Sequence, residues 1–191
     1  MADKFDNAER NKNLTDALHK YETELCGCLR SGIITHEVAA AFTEDGLKIK
    51  EYEGTRDKII IPYADFDLLR KNIYTHCHFV NEILSPGDIL ALSEIGLKEI
   101  RAIIKSGRYS GLREGSDKDD VQSNIGHVMK AEEVGTAKQA MSILMDLIDE
   151  GLEISGEEYQ DKILEIKIEK SDEWLTANAE SFGYIYEKGM I

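Results

Sequence analysis

The segment NIYTHCHFVNEILSPGDILALSEIG, residues 72–96, carries the clearest structural signals in the chain. Residues 72–78 are predicted to form a β-strand, and residues 87–95 a helix. A serine at the N-cap position and a proline at the first helical position suit the start of that helix, and a glycine suits its end. The segment therefore predicts a strand, a loop and a helix.

The residues before this segment predict another helix and more strands. Apolar residues recur near a 3.6-residue period over residues 3–30, which indicates a long helix. Short apolar or alternating runs separated by turn residues then predict a three-strand meander at 37–42, 47–52 and 58–61. A short helix with an acidic first turn and a basic last turn is expected over 63–71.

The residues after the segment predict a hairpin and then helices. Two strands are expected at 99–104 and 108–112, joined by a turn, and helical patterns cover about 118–150 and 156–182. The whole pattern predicts the α+β class, with a mixed sheet flanked by helices. The expected organisation is an N-terminal helix (1–30), an α+β core (31–116) and a helical C-terminal region packed on that core (117–191).

Composition limits the classes of partner. The 191 residues include 37 acidic and 23 basic side chains, which gives a net charge of −14. Such a surface repels phosphate groups and anionic lipids, so neither nucleic acid nor a membrane is the expected partner. With an odd, low cysteine count, no apolar N-terminal segment and no run of about 18 apolar residues, we expect a cytoplasmic protein. The oligomeric state is not predicted.

A candidate metal site lies in the central segment. Side chains alternate along a strand, so His76 and His78 are expected on one face, about 6–7 Å apart along the backbone. Asp88, in the first turn of the next helix, can supply a third ligand. Two histidines and a carboxylate with one position open for water are typical of catalytic zinc. Glu37 is the candidate general base, and Ser85 could donate a hydrogen bond to a tetrahedral oxyanion.

Plainer interpretations of the same residues stay open. An H-x-H pair arises easily by chance. Ser85 and Asp88 have the spacing of a capping box, in which Asp88 faces the helix backbone and binds no metal. Glu37 could be a solvated charge at a strand end, with Glu44 as an alternative base. Cys77 is expected on the face opposite the histidines, as a small buried residue.

The order of these residues resembles the JAMM (MPN or JAB) metalloprotease family. Its members place a glutamate on an early strand, then H-x-H, then S-x-x-D. The similarity is closest to small JAMM-like domains of phage and prophage proteins and covers about residues 33–112. The resemblance implies a core like that of JAMM proteins and cytidine deaminases, a zinc ion, and hydrolysis of an amide or isopeptide bond in a protein or peptide. A phage origin would place the protein in the cytoplasm of a bacterial host.

Two departures favour a different function. The family usually has proline after the second histidine, where this chain has Phe79, and the loop over 79–84 is shorter and more apolar. The alternative is a non-catalytic JAMM-like binding module, such as a phage-encoded interaction protein. A zinc deaminase is disfavoured because the chain lacks the P-C-x-x-C motif of that family.

Overall fold

The computed structural model describes residues 2–79, 82–114 and 125–190. Within these residues the chain is α+β, as predicted, and forms a six-stranded mixed sheet and five α-helices. The strands are β1 (Val38–Phe42), β2 (Lys48–Glu53), β3 (Ile73–Cys77), β4 (Glu99–Ile103), β5 (Arg108–Glu114) and β6 (Tyr184–Met190). The helices are α1 (Ala2–Arg30), α2 (Phe66–Leu69), α3 (Pro86–Ile95), α4 (Ile125–Asp149) and α5 (Gly156–Asn178).

The strand order places the histidine strand inside the sheet. The order is β2-β1-β3-β4-β5-β6, and only the β3–β4 pair among the described strands is parallel. Helix α3 makes the crossover between those two strands, as a parallel pair requires. Helix α1 packs on one face of β3, against Ile73 and Cys77. The main core lies on the other face, where α3 packs with Tyr74 and Ile100.

The predicted strand, loop and helix over residues 72–96 are confirmed almost residue for residue. Helix α3 begins with Ser85 as its N-cap and with proline at its first position, and it ends at Gly96. Gly96 has φ +73°, a left-handed conformation that glycine adopts without the steric penalty of a Cβ. The hairpin of β4 and β5 is also confirmed. The predicted helix over 118–150 is described from 125 onwards, and residues 118–124 lie outside the described residues.

The predicted strand over 58–61 is wrong. The Thr55 N–H donates to the Lys58 carbonyl, so the chain turns there instead of continuing the meander. Pro62 follows directly and has no N–H to give to a strand ladder. The segment joins none of the described strands, and Ile59 and Ile61 pack against the main core. The prediction of one helix over 63–71 is also too long. The structure has only a 3₁₀ turn and the four-residue helix α2 in this range.

The C-terminal region is not purely helical. After Gly183, strand β6 pairs antiparallel with β5 and extends the sheet. Tyr184 of this strand is buried in the main core, and its hydroxyl is within hydrogen-bonding distance of Ser93 on α3, at 2.7 Å. The chain end thus joins the core through the sheet as well as through helix packing.

A buried charged network attaches α1 to the sheet. Arg101 on β4 bonds Glu99 (Nε–Oε1, 2.7 Å) and approaches Glu22 on α1 (NH1–Oε1, 3.4 Å). Thr75 on β3 donates a hydrogen bond to Glu22 at 3.1 Å. Burial raises the pKa of Glu22, and the charge of Arg101 only partly offsets this effect. Removing Arg101 would therefore leave two buried carboxylates without their cation.

We predict that Arg101→Met lowers the free energy of unfolding by about 3–5 kcal/mol near pH 8, the usual cost of breaking a buried ion pair on one side. The loss should shrink near pH 5, because the unpaired carboxylates can then be protonated in the folded state. Urea denaturation at both pH values measures this. Lys98→Met, at an exposed pair with Glu44, is the control and should cost less than about 1 kcal/mol. Equal losses in the two variants would contradict the prediction.

Candidate metal centre

Strand β3 presents His76 between two small side chains. In the sheet register His76 lies opposite Ala39 on β1 and Ala102 on β4, and residues opposite each other project from the same face. Both alanines are fully buried, so an imidazole fits between the neighbouring strands. The His78 N–H donates to the Ile103 carbonyl at 2.9 Å, which continues the ladder one residue beyond β3. Both histidines therefore share one face, as the sequence predicts.

The three predicted ligands converge. The Nε2 atoms of His76 and His78 are 2.8 Å apart. The Oδ1 atom of Asp88 lies 2.9 Å from Nε2 of His76, and Oδ2 lies 3.4 Å from Nε2 of His78. The ligand atoms of the three residues all lie within 4.8 Å of one another, and both imidazoles are buried. This group could hold a metal ion.

The capping interpretation of Asp88 is also correct. The Ser85 N–H and hydroxyl both donate to Oδ2 of Asp88, at 2.6 and 2.8 Å, and the Asp88 N–H donates back to the Ser85 hydroxyl at 3.3 Å. The two carboxylate oxygens have different partners. Oδ2 accepts the hydrogen bonds that close the start of α3, while Oδ1 faces His76. The two interpretations are therefore compatible, and the cap fixes the position of the ligand.

The loop between β3 and α3 sets the tautomer of His78. Nδ1 of His78 lies 2.8 Å from the carbonyl oxygen of Glu82. A carbonyl can only accept, so Nδ1 carries the proton and, in the neutral ring, Nε2 is left as a lone pair. Backbone support of this kind is typical of metal-bound histidines. The Glu82 carboxylate is in turn paired with Lys167 on α5, so the C-terminal helix supports the loop.

The donor atoms of the three residues lie so close together that their charges need compensation. Two imidazole nitrogens and a carboxylate oxygen at about 3 Å repel one another unless a proton or a metal ion lies among them. Burial raises the pKa of Asp88, but the charges of His76 and His78 and hydrogen bonds from His76 and Ser85 outweigh it and hold the pKa below its usual range. The carboxylate is thus ionised at neutral pH. When both imidazoles have lost the proton at Nε2, their two nitrogens and one carboxylate oxygen form a donor set that suits zinc.

Glu37 lies in the same cleft as the three ligands. Its backbone extends the β1–β2 pairing through hydrogen bonds with Thr55 and Gly54, and the residue is 5% exposed. The cleft has a volume of about 280 Å³ and is lined by Glu37, by all three ligands and by Ser85. Glu44, the alternative base, instead forms an exposed ion pair with Lys98 and does not line this cleft.

Burial gives Glu37 an unusual pKa. Desolvation raises the pKa of its carboxyl to about 7, with His78 opposing and Asp88 reinforcing the rise. A carboxyl whose pKa lies near neutrality can accept a proton and release it again at the pH of a cell. The solvated strand-end interpretation of this residue is therefore wrong.

Sequence reasoning missed Tyr74 as a neighbour of the site. It lies two residues before His76, so the same strand alternation places it on the same face, and the ring centroids are 5.7 Å apart. The Tyr74 hydroxyl is buried without a hydrogen-bond partner among the described residues, and burial raises its pKa. Strand parity alone could have identified it. Cys77 is on the opposite face and fully buried, as predicted.

Phe79 does not fill the cleft of the candidate site. Its ring lies between two cations, with the Arg56 guanidinium 5.1 Å and the Lys105 ammonium 4.7 Å from the ring centroid. It lines a neighbouring, larger cleft instead. Of the other loop residues, Ile83 and Leu84 are buried in the main core, and residues 80 and 81 lie outside the described residues.

Comparison with known proteins gives no family. No protein-family model matches the chain, and no curated protein or solved structure matches it either. The JAMM resemblance therefore depends on the motif residues of the sequence alone. Among the helices of the described residues, none has both the length and the hydrophobicity needed to cross a bilayer.

We predict close to one zinc ion per chain in protein purified without chelator, because the three ligands are already assembled. The double change of His76→Ala and His78→Ala should abolish this binding, and Asp88→Asn should weaken it at least tenfold while keeping an acceptor for the helix cap. Elemental analysis of the purified proteins measures the metal. Glu44→Gln is the control, since Glu44 lies outside the cleft of the three candidate ligands and should leave the zinc content at the wild-type level. Stoichiometric zinc in the double variant would overturn the site.

A further prediction concerns how Glu37 makes the free energy of unfolding of the metal-free protein depend on pH. Its pKa rises from an ordinary 4.5 to about 7 in the folded state, so the folded chain binds more protons than the unfolded chain between these values. Stability should therefore fall as pH rises through this window. Glu37→Gln removes the effect and should raise the free energy of unfolding by about 1–3 kcal/mol above pH 7 but not below pH 4.5. Urea titrations across pH test it. A gain that does not change with pH would contradict it.

Proposed function

We propose that this chain is a JAMM-like zinc metallopeptidase or isopeptidase, which hydrolyses an amide or isopeptide bond in a protein or peptide. One observation carries the proposal: two histidine nitrogens and an aspartate oxygen converge at a cleft that also contains a buried glutamate with a pKa near 7. The metal group and the candidate base come from separate strands and a helix. Their meeting in one cleft is not explained by the needs of folding.

The proposed chemistry assigns each residue a step. Zinc held by His76, His78 and Asp88 would supply a Lewis acid that makes a water molecule more acidic. Glu37, as the carboxylate, accepts a proton from the water that attacks the amide carbon. It then returns this proton to the leaving nitrogen as the carbon–nitrogen bond breaks, so that an acid and an amine are released.

Ser85 has a more structural role than sequence analysis expects. Its hydroxyl proton is already donated to Asp88. The hydroxyl would have to give up this hydrogen bond to bind an oxyanion. We therefore assign Ser85 the role of holding the Asp88 carboxylate in place. This observation is also what favours the alternative, a binding module of the same fold that performs no chemistry.

We predict that Glu37→Gln loses about 10²–10⁴-fold in amide hydrolysis, the usual contribution of a positioned acid–base group, while it keeps its zinc. The amide side chain preserves the shape of glutamate but cannot accept the proton. A panel of isopeptide-linked and tail peptides, analysed by mass spectrometry, measures the cleavage.

Glu44→Gln is the matched control, because Glu44 lies outside the cleft, and it should cleave at the wild-type rate. Equal cleavage by wild type and Glu37→Gln would remove Glu37 as the base. A zinc-loaded wild type that cleaves nothing in the panel would favour the binding module.

A further inference from the structure

A second cleft adjoins the candidate metal centre. Its volume is about 760 Å³, and Glu82 lines both this cleft and that of the metal site. Phe79, which directly follows a metal ligand in sequence, also lines it. A peptide lying in the larger cleft would therefore extend toward the candidate metal site. We call the larger cleft, with Arg56, Phe79 and Lys105 on one wall, the basic cleft.

The cations of the basic cleft are unusual in this protein. The chain has 37 acidic residues and a net charge of −14, yet neither Arg56 nor Lys105 pairs with a carboxylate of the described residues. Both are exposed, and the Phe79 ring holds them through its negative face. Two uncompensated cations fixed at one ring form a site for anions.

The opposite wall belongs to α5 and is partly apolar. Leu164 and Ile168 line it. Three acidic residues also line the cleft. Glu82 pairs with Lys167 and Glu165 pairs with Lys162 at 2.7 Å, while Asp161, on the α5 wall, has no ion pair among the described residues. The third cation of the lining, Arg108, pairs with Asp172 at 3.8 Å, so the uncompensated cations are those on the Phe79 wall. The cleft therefore offers a positive wall facing a strip of aliphatic side chains. A peptide that alternates acidic and apolar residues matches both.

We propose that the basic cleft binds an acidic, partly apolar peptide segment of the substrate and leads it to the metal site. This inference deepens the proposed function and rests on it, since it names the class of substrate. The residue that departs from the family pattern, Phe79, thus becomes a specificity determinant that orders Arg56 and Lys105. An acidic segment is also what a protein with such a negative surface would otherwise repel, so recognition must be local.

The test is peptide binding by metal-free protein. Two labelled peptides are compared by fluorescence anisotropy: one alternates aspartate and leucine, and the other has asparagine in place of each aspartate. Wild type should bind the aspartate peptide about tenfold more tightly, and this preference should fall with added salt. The double change of Arg56→Gln and Lys105→Gln should abolish the preference, and Phe79→Leu should weaken it.

The matched control is the double change of Lys20→Gln and Lys138→Gln, which alters net charge equally at exposed positions outside the cleft. It should bind like wild type. Equal affinity for the two peptides, an equal loss in the control, or tighter binding of a single-stranded RNA at the same cations would overturn the proposal. The binding test uses metal-free protein, and the cleavage panel uses zinc-loaded protein, so the two proposals can fail separately. The preference for the aspartate peptide without cleavage by the zinc-loaded protein refutes only the proposed hydrolase, and cleavage without this preference refutes only the basic cleft.

Discussion

The candidate site depends on how one carboxylate is shared. Asp88 gives Oδ2 to the Ser85 cap and Oδ1 to His76. Removing the hydrogen bonds of the cap would loosen both the start of α3 and the candidate ligand, because the Asp88 side chain belongs to both. A helix N-terminus also favours a negative charge, so the carboxylate is stabilised there even before a metal binds. The local rule that starts α3 is thus also the rule that builds the candidate metal group.

Local signals explain which parts of this structure could be predicted. Strand parity places His76 and His78 together, and the serine–proline start fixes where Asp88 lies, so the donor group follows from short-range rules. From the sequence, capping and metal binding are alternatives for Asp88, and only the geometry reveals that one carboxylate can close the helix start while it faces the two histidines. The unpaired segment at 58–61 and strand β6 depend on distant partners. Whether a run of β-forming residues joins a sheet depends on its tertiary context, which sequence patterns do not record.

Helix α5 contributes to the candidate site with residues in 113–170, a range that the family resemblance does not cover. Lys167 on α5 pairs with Glu82, whose carbonyl fixes the tautomer of His78. Its neighbours Leu164 and Ile168 form a wall of the basic cleft. This support from an added helix adds to the anchoring of the loop between β3 and α3, in which Ile83 and Leu84 are buried in the main core. The added helices thus hold the ligand loop and shape the approach to it.

The two faces of β3 differ in a way that argues for function. On the face toward α1, Thr75 donates to Glu22, and the Cys77 sulfur accepts from the Val38 N–H at 3.3 Å. On the other face, Nδ1 of His76 and the Tyr74 hydroxyl are buried without partners among the described residues. Each such group costs about 1–3 kcal/mol. The Tyr21 hydroxyl on the α1 side is likewise buried without a partner among the described residues, so an unpartnered hydroxyl alone does not mark a site. What distinguishes the other face is position, because His76 and Tyr74 lie together beside the converging candidate ligands.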